Sequence, residues 1–230
     1  MSWVEEALQR VQPGPPAALT PTELGIVGAV ALVLVLVPPL WRVARLGVTL
    51  VHELGHAIVG IVVGRTFTGF VLRGDASGHA VTRGRGAGPG LVATTWAGYP
   101  APALLAAGVA VAVGRGWAAP VLAVFGVVLL VALVQVRSVL TAAVTVGALA
   151  GVAALWWFGE PELQSQVLTG VAAVLLVGAW RHLIAAWRDR SAGNDARVLA
   201  RLAKLPRTLW LATFALVCGW AAWVVVTTVR

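Results

Sequence analysis

The stretch Leu46-Gly47-Val48-Thr49-Leu50-Val51-His52-Glu53-Leu54-Gly55-His56-Ala57-Ile58-Val59-Gly60-Ile61-Val62-Val63-Gly64 is apolar almost throughout, and its length suits a helix that crosses a bilayer. On such a helix His52 and His56 lie one turn apart on one face, so both imidazoles can grip a single metal ion. Glu53 follows the first histidine, where an HExxH site keeps its general base. A carboxyl group near the centre of a membrane helix costs roughly 2.5–3.5 kcal/mol on insertion scales, so it is rarely idle. The plain structural alternative is a buried His–Glu pair that holds helices together. Placement inside a span favours hydrolytic chemistry within a membrane.

Composition agrees with that placement. Of 230 residues, 59% are hydrophobic and 11% charged, with a mean hydropathy of +0.88. Soluble domains carry about 25% charged residues, so the fold class is an all-α polytopic membrane protein. The net charge of +8 comes from 17 basic and 9 acidic residues. The arginines fall mainly between and at the ends of apolar segments, a pattern that fits lipid headgroups and not nucleic acid. Cys218 is the single cysteine, which excludes an intramolecular disulfide and a cysteine-based metal cluster. It reads as a small packing residue.

Residues 1–23 form an N-terminal amphipathic segment, and 24–230 a single transmembrane domain. Ser2-Trp3-Val4-Glu5 has capping-box spacing and opens a short helix to about Val11. The segment lacks a basic n-region, so the first membrane helix is expected to serve as an uncleaved signal anchor. Thr20-Pro21-Thr22-Glu23 is a second helix start. The apolar run from Leu24 to Leu40 follows, stopped or kinked at Pro38-Pro39, and Arg42 and Arg45 separate it from the HELGH helix. Thr66–Arg83 is rich in β-formers around the turn material Gly74-Asp75-Ala76-Ser77-Gly78, which predicts a β-hairpin after the HExxH helix. Further apolar spans are expected at Leu91–Val113, Ala118–Val136, Ser138–Phe158, Leu163–Trp187 and Arg207–Val229. The count is seven, or six if the short join at Gln135–Ser138 merges two. Tryptophans at span ends fit the headgroup level. The longest polar segment between spans, Arg188–Arg207, is expected to face the cytoplasm.

Two histidines do not complete a site, because catalytic zinc usually takes three protein ligands and leaves a fourth position for water. Side chains with suitable chemistry are His79, His182, Asp75, Asp189, Asp195, Glu160 and Glu162. Four of them have a plainer role. Asp189 lies between Arg188 and Arg190 as an interface ion pair, and Asp195 can cap or begin a helix over 195–204. His79 reads as a loop histidine, and His182, beside Arg181, as an interface residue. Tyr99 can orient substrate or simply pack.

The chain resembles the site-2-protease superfamily of intramembrane zinc metalloproteases, especially its small bacterial branch. Three stretches carry the likeness: His52-Glu53-Leu54-Gly55-His56-Ala57, Ala97-Gly98-Tyr99-Pro100-Ala101-Pro102-Ala103, and Asn194-Asp195-Ala196-Arg197-Val198-Leu199 with Pro206 downstream. The resemblance implies that His52, His56 and Asp195 bind Zn2+ and that Glu53 is the catalytic base. It departs in two places. The superfamily's Leu-Asp-Gly around the aspartate reads Asn-Asp-Ala here, and the asparagine often found in the central-helix motif is absent.

The implied activity is zinc-dependent endoproteolysis of a peptide bond in or near a membrane-spanning protein, in the bacterial plasma membrane. Glu53 would activate the metal's water, and the Thr66–Thr82 hairpin would offer an edge to an extended substrate strand. Two other readings are a non-catalytic metal-binding membrane scaffold or sensor, and ion transport; the short chain and lack of a visible repeat argue against transport. Topology poses a problem. Five spans from the entrance of the HELGH helix put Asp195 on the opposite side, so ligation requires a re-entrant segment, a merged span or a polar loop that dips inward.

Overall fold

The computed structural model describes residues 3–16 and 19–229; Ser2, which would open the first capping box, lies outside them. Helix α1 (Trp3–Arg10) closes with an ion pair between Glu6 and Arg10 at 3.1 Å. Arg10 also donates to the Trp156 carbonyl at 3.3 Å and lies over the Trp157 ring.

Helix α2 (Pro21–Leu36) begins with the capping box read from the sequence: Glu23 N–H donates to Thr20 Oγ1 at 3.3 Å, and Thr20 N–H donates to the Glu23 carboxylate at 2.7 Å. The Pro38-Pro39 pair is a helix start. Helix α3 (Pro38–Val62) runs unbroken through Arg42 and Arg45 to the HELGH motif, so it is longer at its N-terminus than expected. Proline is tolerated there because first-turn N–H groups have no intrahelical acceptor.

Strands β1 (Thr66–Leu72) and β2 (Gly78–Arg83) form the expected antiparallel hairpin. Its turn is held by Ser77 N–H donating to Asp75 Oδ1 at 2.9 Å. Phe70 and Leu72 are buried in one cluster with Leu50 of α3, which seats the hairpin on the HELGH helix. The two edges of the hairpin differ. Phe70 N–H donates to Gln135 O at 3.1 Å, Arg137 N–H to Phe70 O at 3.2 Å, and Leu72 N–H to Thr141 Oγ1 at 2.7 Å. The outer edge of β1 is therefore occupied. Phe70–Ala80 and Leu72–Gly78 face each other across the hairpin, and the outward bonds of Phe70 and Leu72 make these non-hydrogen-bonded pairs. The backbone groups of Gly78 and Ala80 thus point away from β1, and none has a backbone partner among the described residues.

The span expected over Leu91–Val113 is two helices, α4 (Pro89–Ala97) and α5 (Pro100–Gly114), bent by 65°. Pro100 and Pro102 have no N–H, so the carbonyls of Trp96 and Gly98 lose their helical donors and the rod breaks. The remaining helices are α6 (Ala118–Leu133), α7 (Val139–Phe158), α8 (Pro161–Arg188), α9 (Asp195–Ala203) and α10 (Arg207–Val229). Helix α6 ends before Val136 because residues 135–137 turn out to pair with β1.

Helix α5 is the axis of the bundle. Its buried side chains are mostly small, including Ala103, Ala106, Ala107 and Ala110, and they admit α3, α8 and α10 to close range. Many large apolar side chains elsewhere face outward, with Val139, Phe158 and Val62 at 87%, 80% and 79% exposure. Such a surface suits lipid and would be a liability in water.

The expected count of six or seven crossings is not reached by length and composition. Among the described residues four helices are long and apolar enough to cross a bilayer (α3, α7, α8 and α10), with a fifth crossing if bent α4–α5 is one span. Helices α2 and α6 have 16 residues each. At about 1.5 Å per residue they fall short of a hydrocarbon core of about 30 Å.

Candidate metal centre

The site lies where α3, α4 and the start of α9 meet. Helical spacing puts His52 and His56 on one face of α3, with their Nε2 atoms 3.2 Å apart. Asp195 Oδ2 approaches both, at 3.3 Å from His52 Nε2 and 3.2 Å from His56 Nε2. These three side chains are the group among the described residues that could hold a metal ion. Two imidazole nitrogens and a carboxylate oxygen converging on one point form a donor set that suits zinc. The set fits such an ion for a second reason. His56 Nδ1 lies 2.7 Å from the Thr94 carbonyl oxygen, to which its N–H donates, and that leaves Nε2 as the free lone pair.

Space around the ligands is tight. A Cβ at Gly98 would fall on His56 Nε2 and within 2.8 Å of His52 Cε1. One at Gly55 would meet Ala101 Cβ at 2.5 Å. The two glycines let the α4–α5 break close onto the HELGH turn. Glu53 is 3% exposed, on the flank of α3 that the hairpin covers. Gly78 of β2 lies against it so closely that a Cβ there would overlap the carboxylate.

Asp195 is presented by the α8–α9 connection. Helix α8 passes α3 in the same direction: Gly178 sits against Val48, and one turn further the His182 ring is 6.1 Å from that of His52. Helix α8 therefore ends on the C-terminal side of α3. His52 and His56 lie in the C-terminal half of α3, and the polar loop folds back to their level. The topological problem is resolved by an inward-dipping loop beside a broken helix pair.

That loop is held at several points. Arg207 of α10 donates to the carbonyls of Ala186, Trp187 (3.0 Å) and Asp189 (2.9 Å), closing the C-terminal end of α8. Asn194 is the N-cap of α9: its side-chain oxygen accepts from Ala196 N–H at 3.1 Å, and its amide donates to Ala186 O at 3.3 Å. Asp195 is thus the first helical residue, next to the positive end of α9, with its carboxylate uncommitted to capping. Burial opposes its charge, and the imidazoles of His56 and His52 more than offset that, holding its carboxyl below the usual carboxylate range. Asp195 both begins α9 and reaches the two imidazoles, and the Asn of Asn-Asp-Ala frees its carboxylate from capping.

The other candidates lie elsewhere. Asp75 holds the hairpin turn, and the ion pair expected for Asp189 is not found among the described residues. Hydrogen bonds from the Ser191 backbone and hydroxyl keep the Asp189 carboxyl low, and the Asn194 amide also donates to it. His79 alternates with Gly78 and Ala80 along β2 and faces away from α3. Glu160 and Glu162 begin α8, about 30 Å of helix from His182. Tyr99 packs edge-on to His52, at 4.9 Å between ring centroids, and stacks on Phe214. The supporting roles of Thr94 and Arg207 carry no sequence signal, since one acts through a backbone carbonyl and the other through contacts remote in sequence.

A multi-pass membrane protein with a His–His–Asp group that could hold a metal, beside a buried glutamate, is the class that fold and site define. Residues 25–225 match the model of the peptidase M50B-like family, and the chain belongs to that family. No curated protein and no solved structure matches it.

Proposed function

We propose that the protein is a zinc-dependent intramembrane endopeptidase of a bacterial plasma membrane, acting on peptide bonds in or near a membrane-spanning substrate. The observation that carries this reading is the convergence of Asp195 Oδ2 with both histidine Nε2 atoms next to buried Glu53. His52, His56 and Asp195 would hold the ion. When bound, zinc supplies Lewis acidity, which acidifies a water and polarises a carbonyl. Glu53 takes the proton of the attacking water and returns it to the leaving amine. Its burial between α3 and Gly78 excludes bulk water and fixes its direction of approach.

A helical substrate hides its carbonyls in internal hydrogen bonds and must be extended before cleavage. The open outer edge of β2, at Gly78 and Ala80, offers backbone donors and acceptors beside Glu53 for a strand added in that form. An apolar cavity of about 1210 Å3 between α2, α3 and α6–α8 reaches Leu54, Gly55 and Ala97. Its lining suits delivery of an apolar segment from the lipid side.

The test is zinc content together with cleavage of single-span reporter segments in proteoliposomes, for wild type and Glu53→Gln. Wild type should carry one zinc and cut; Glu53→Gln should carry zinc and not cut. Cleavage by Glu53→Gln would overturn the assigned mechanism. Bound zinc with no cleavage by wild type of any reporter would assign the site to a non-catalytic role.

A further inference from the structure

Each metal-binding imidazole that uses Nε2 must carry its proton on Nδ1, and a buried Nδ1–H needs an acceptor. The two histidines differ in this respect. His56 has the Thr94 carbonyl at 2.7 Å. His52 Nδ1 is buried and has no hydrogen-bond partner. A second nitrogen nearby is also orphaned: Nε2 of His182 on α8 is buried without a partner, and its ring centroid is 6.1 Å from that of His52. Two unpaired buried nitrogens at that separation are matched in need, one as donor and one as acceptor.

The helix packing makes this pairing a built feature. A Cβ at Gly178 would meet Val48 Cγ2 at 2.6 Å, so glycine brings α8 directly onto α3. His182 follows Gly178 by one turn, and His52 follows Val48 by one turn in the same direction. Close contact at the first pair delivers the second pair to facing positions.

We propose that His182 is a positioning residue for the metal ligand His52. Its neutral ring accepts the Nδ1–H of His52 through Nε2, by a small ring rotation or through one water, and so fixes the tautomer and orientation that aim Nε2 at the ion. Tyr99 touches the same ring edge-on and supplies packing. The proposal rests on the zinc reading of the site.

The experiment is equilibrium zinc affinity of the purified full chain, measured against a competing chelator in detergent, for wild type, His182→Leu, His182→Gln and Tyr99→Phe. Each variant is checked for folding by thermal unfolding. His182→Leu should bind zinc about 10–100-fold more weakly, the range for loss of an outer-sphere partner. His182→Gln, whose amide oxygen can accept the same proton, should recover most of the loss, and Tyr99→Phe should match wild type. Wild-type affinity in folded His182→Leu, or equal losses in the Leu and Gln variants, would overturn the proposal. Failure of wild type itself to bind zinc would overturn the metal reading instead, and the two failures are therefore separable.

Discussion

Asp195 Oδ2 lies 3.2 Å from His56 Nε2, although α4 to α8 intervene along the chain. A carboxylate brought to that distance inside an apolar bundle is stabilised by the start of α9, by the imidazoles and by any cation they share. Replacing Asp195 with alanine should therefore weaken zinc binding by more than the roughly 10–100-fold that an outer-sphere change costs. Chelator competition measures this, and unchanged affinity would remove Asp195 from the ligand set.

Gly98→Ala places a methyl group against both ligand imidazoles. Forced overpacking typically costs about 1–3 kcal/mol, and here the groups that must move are the ligands. Lower thermal stability and loss of bound zinc are expected together. Gly108→Ala on α5 meets nothing within 4 Å and should lower neither, since alanine is the better helix former. Equal behaviour of the two variants would show that the space at Gly98 is not specific to the site.

At Gly78 the expected outcome separates metal from catalysis. The three atoms nearest to a methyl group there all belong to Glu53. Gly78→Ala should keep zinc at wild-type stoichiometry while reporter cleavage falls about 100-fold or more, 100-fold being the lower end of the range supplied by a positioned base. Cleavage at the wild-type rate would show that Glu53 tolerates displacement and is not the base.

Asn194→Ala removes the N-cap of α9 and a buried donor to Ala186 O. Loss of a cap costs about 0.5–2 kcal/mol, so the midpoint of thermal unfolding should fall. Zinc affinity should fall with it, because α9 carries Asp195. Asn194→Asp retains a capping oxygen and should recover part of the stability. If the alanine variant unfolds like wild type, the loop is held by Arg207 and not by the cap.

The paired histidines, the glutamate beside them and the hairpin were all legible from residue spacing. Histidines four apart on an apolar helix have one geometric consequence, and β-formers around Gly74-Asp75-Ala76-Ser77-Gly78 have another. Membrane residence was equally plain, because so apolar a chain has no soluble alternative. The number of crossings was not, since an apolar run reads the same whether it is straight, short or broken, and the break at Pro100 turned one expected span into two helices.

Sequence alone determined His52, Glu53 and His56 as a constellation, because local helical periodicity sets their relative positions whatever the rest of the chain does. Tertiary structure decided how Asp195 joins them. The resemblance had named that residue, but its approach depends on α8 running beside α3, on Arg207 closing the end of α8 and on Asn194 taking over the cap. Only the fold also showed which edge of the hairpin is open. Backbone edges carry no residue code, and the occupant of the β1 edge comes from residues 135–141, far along the chain.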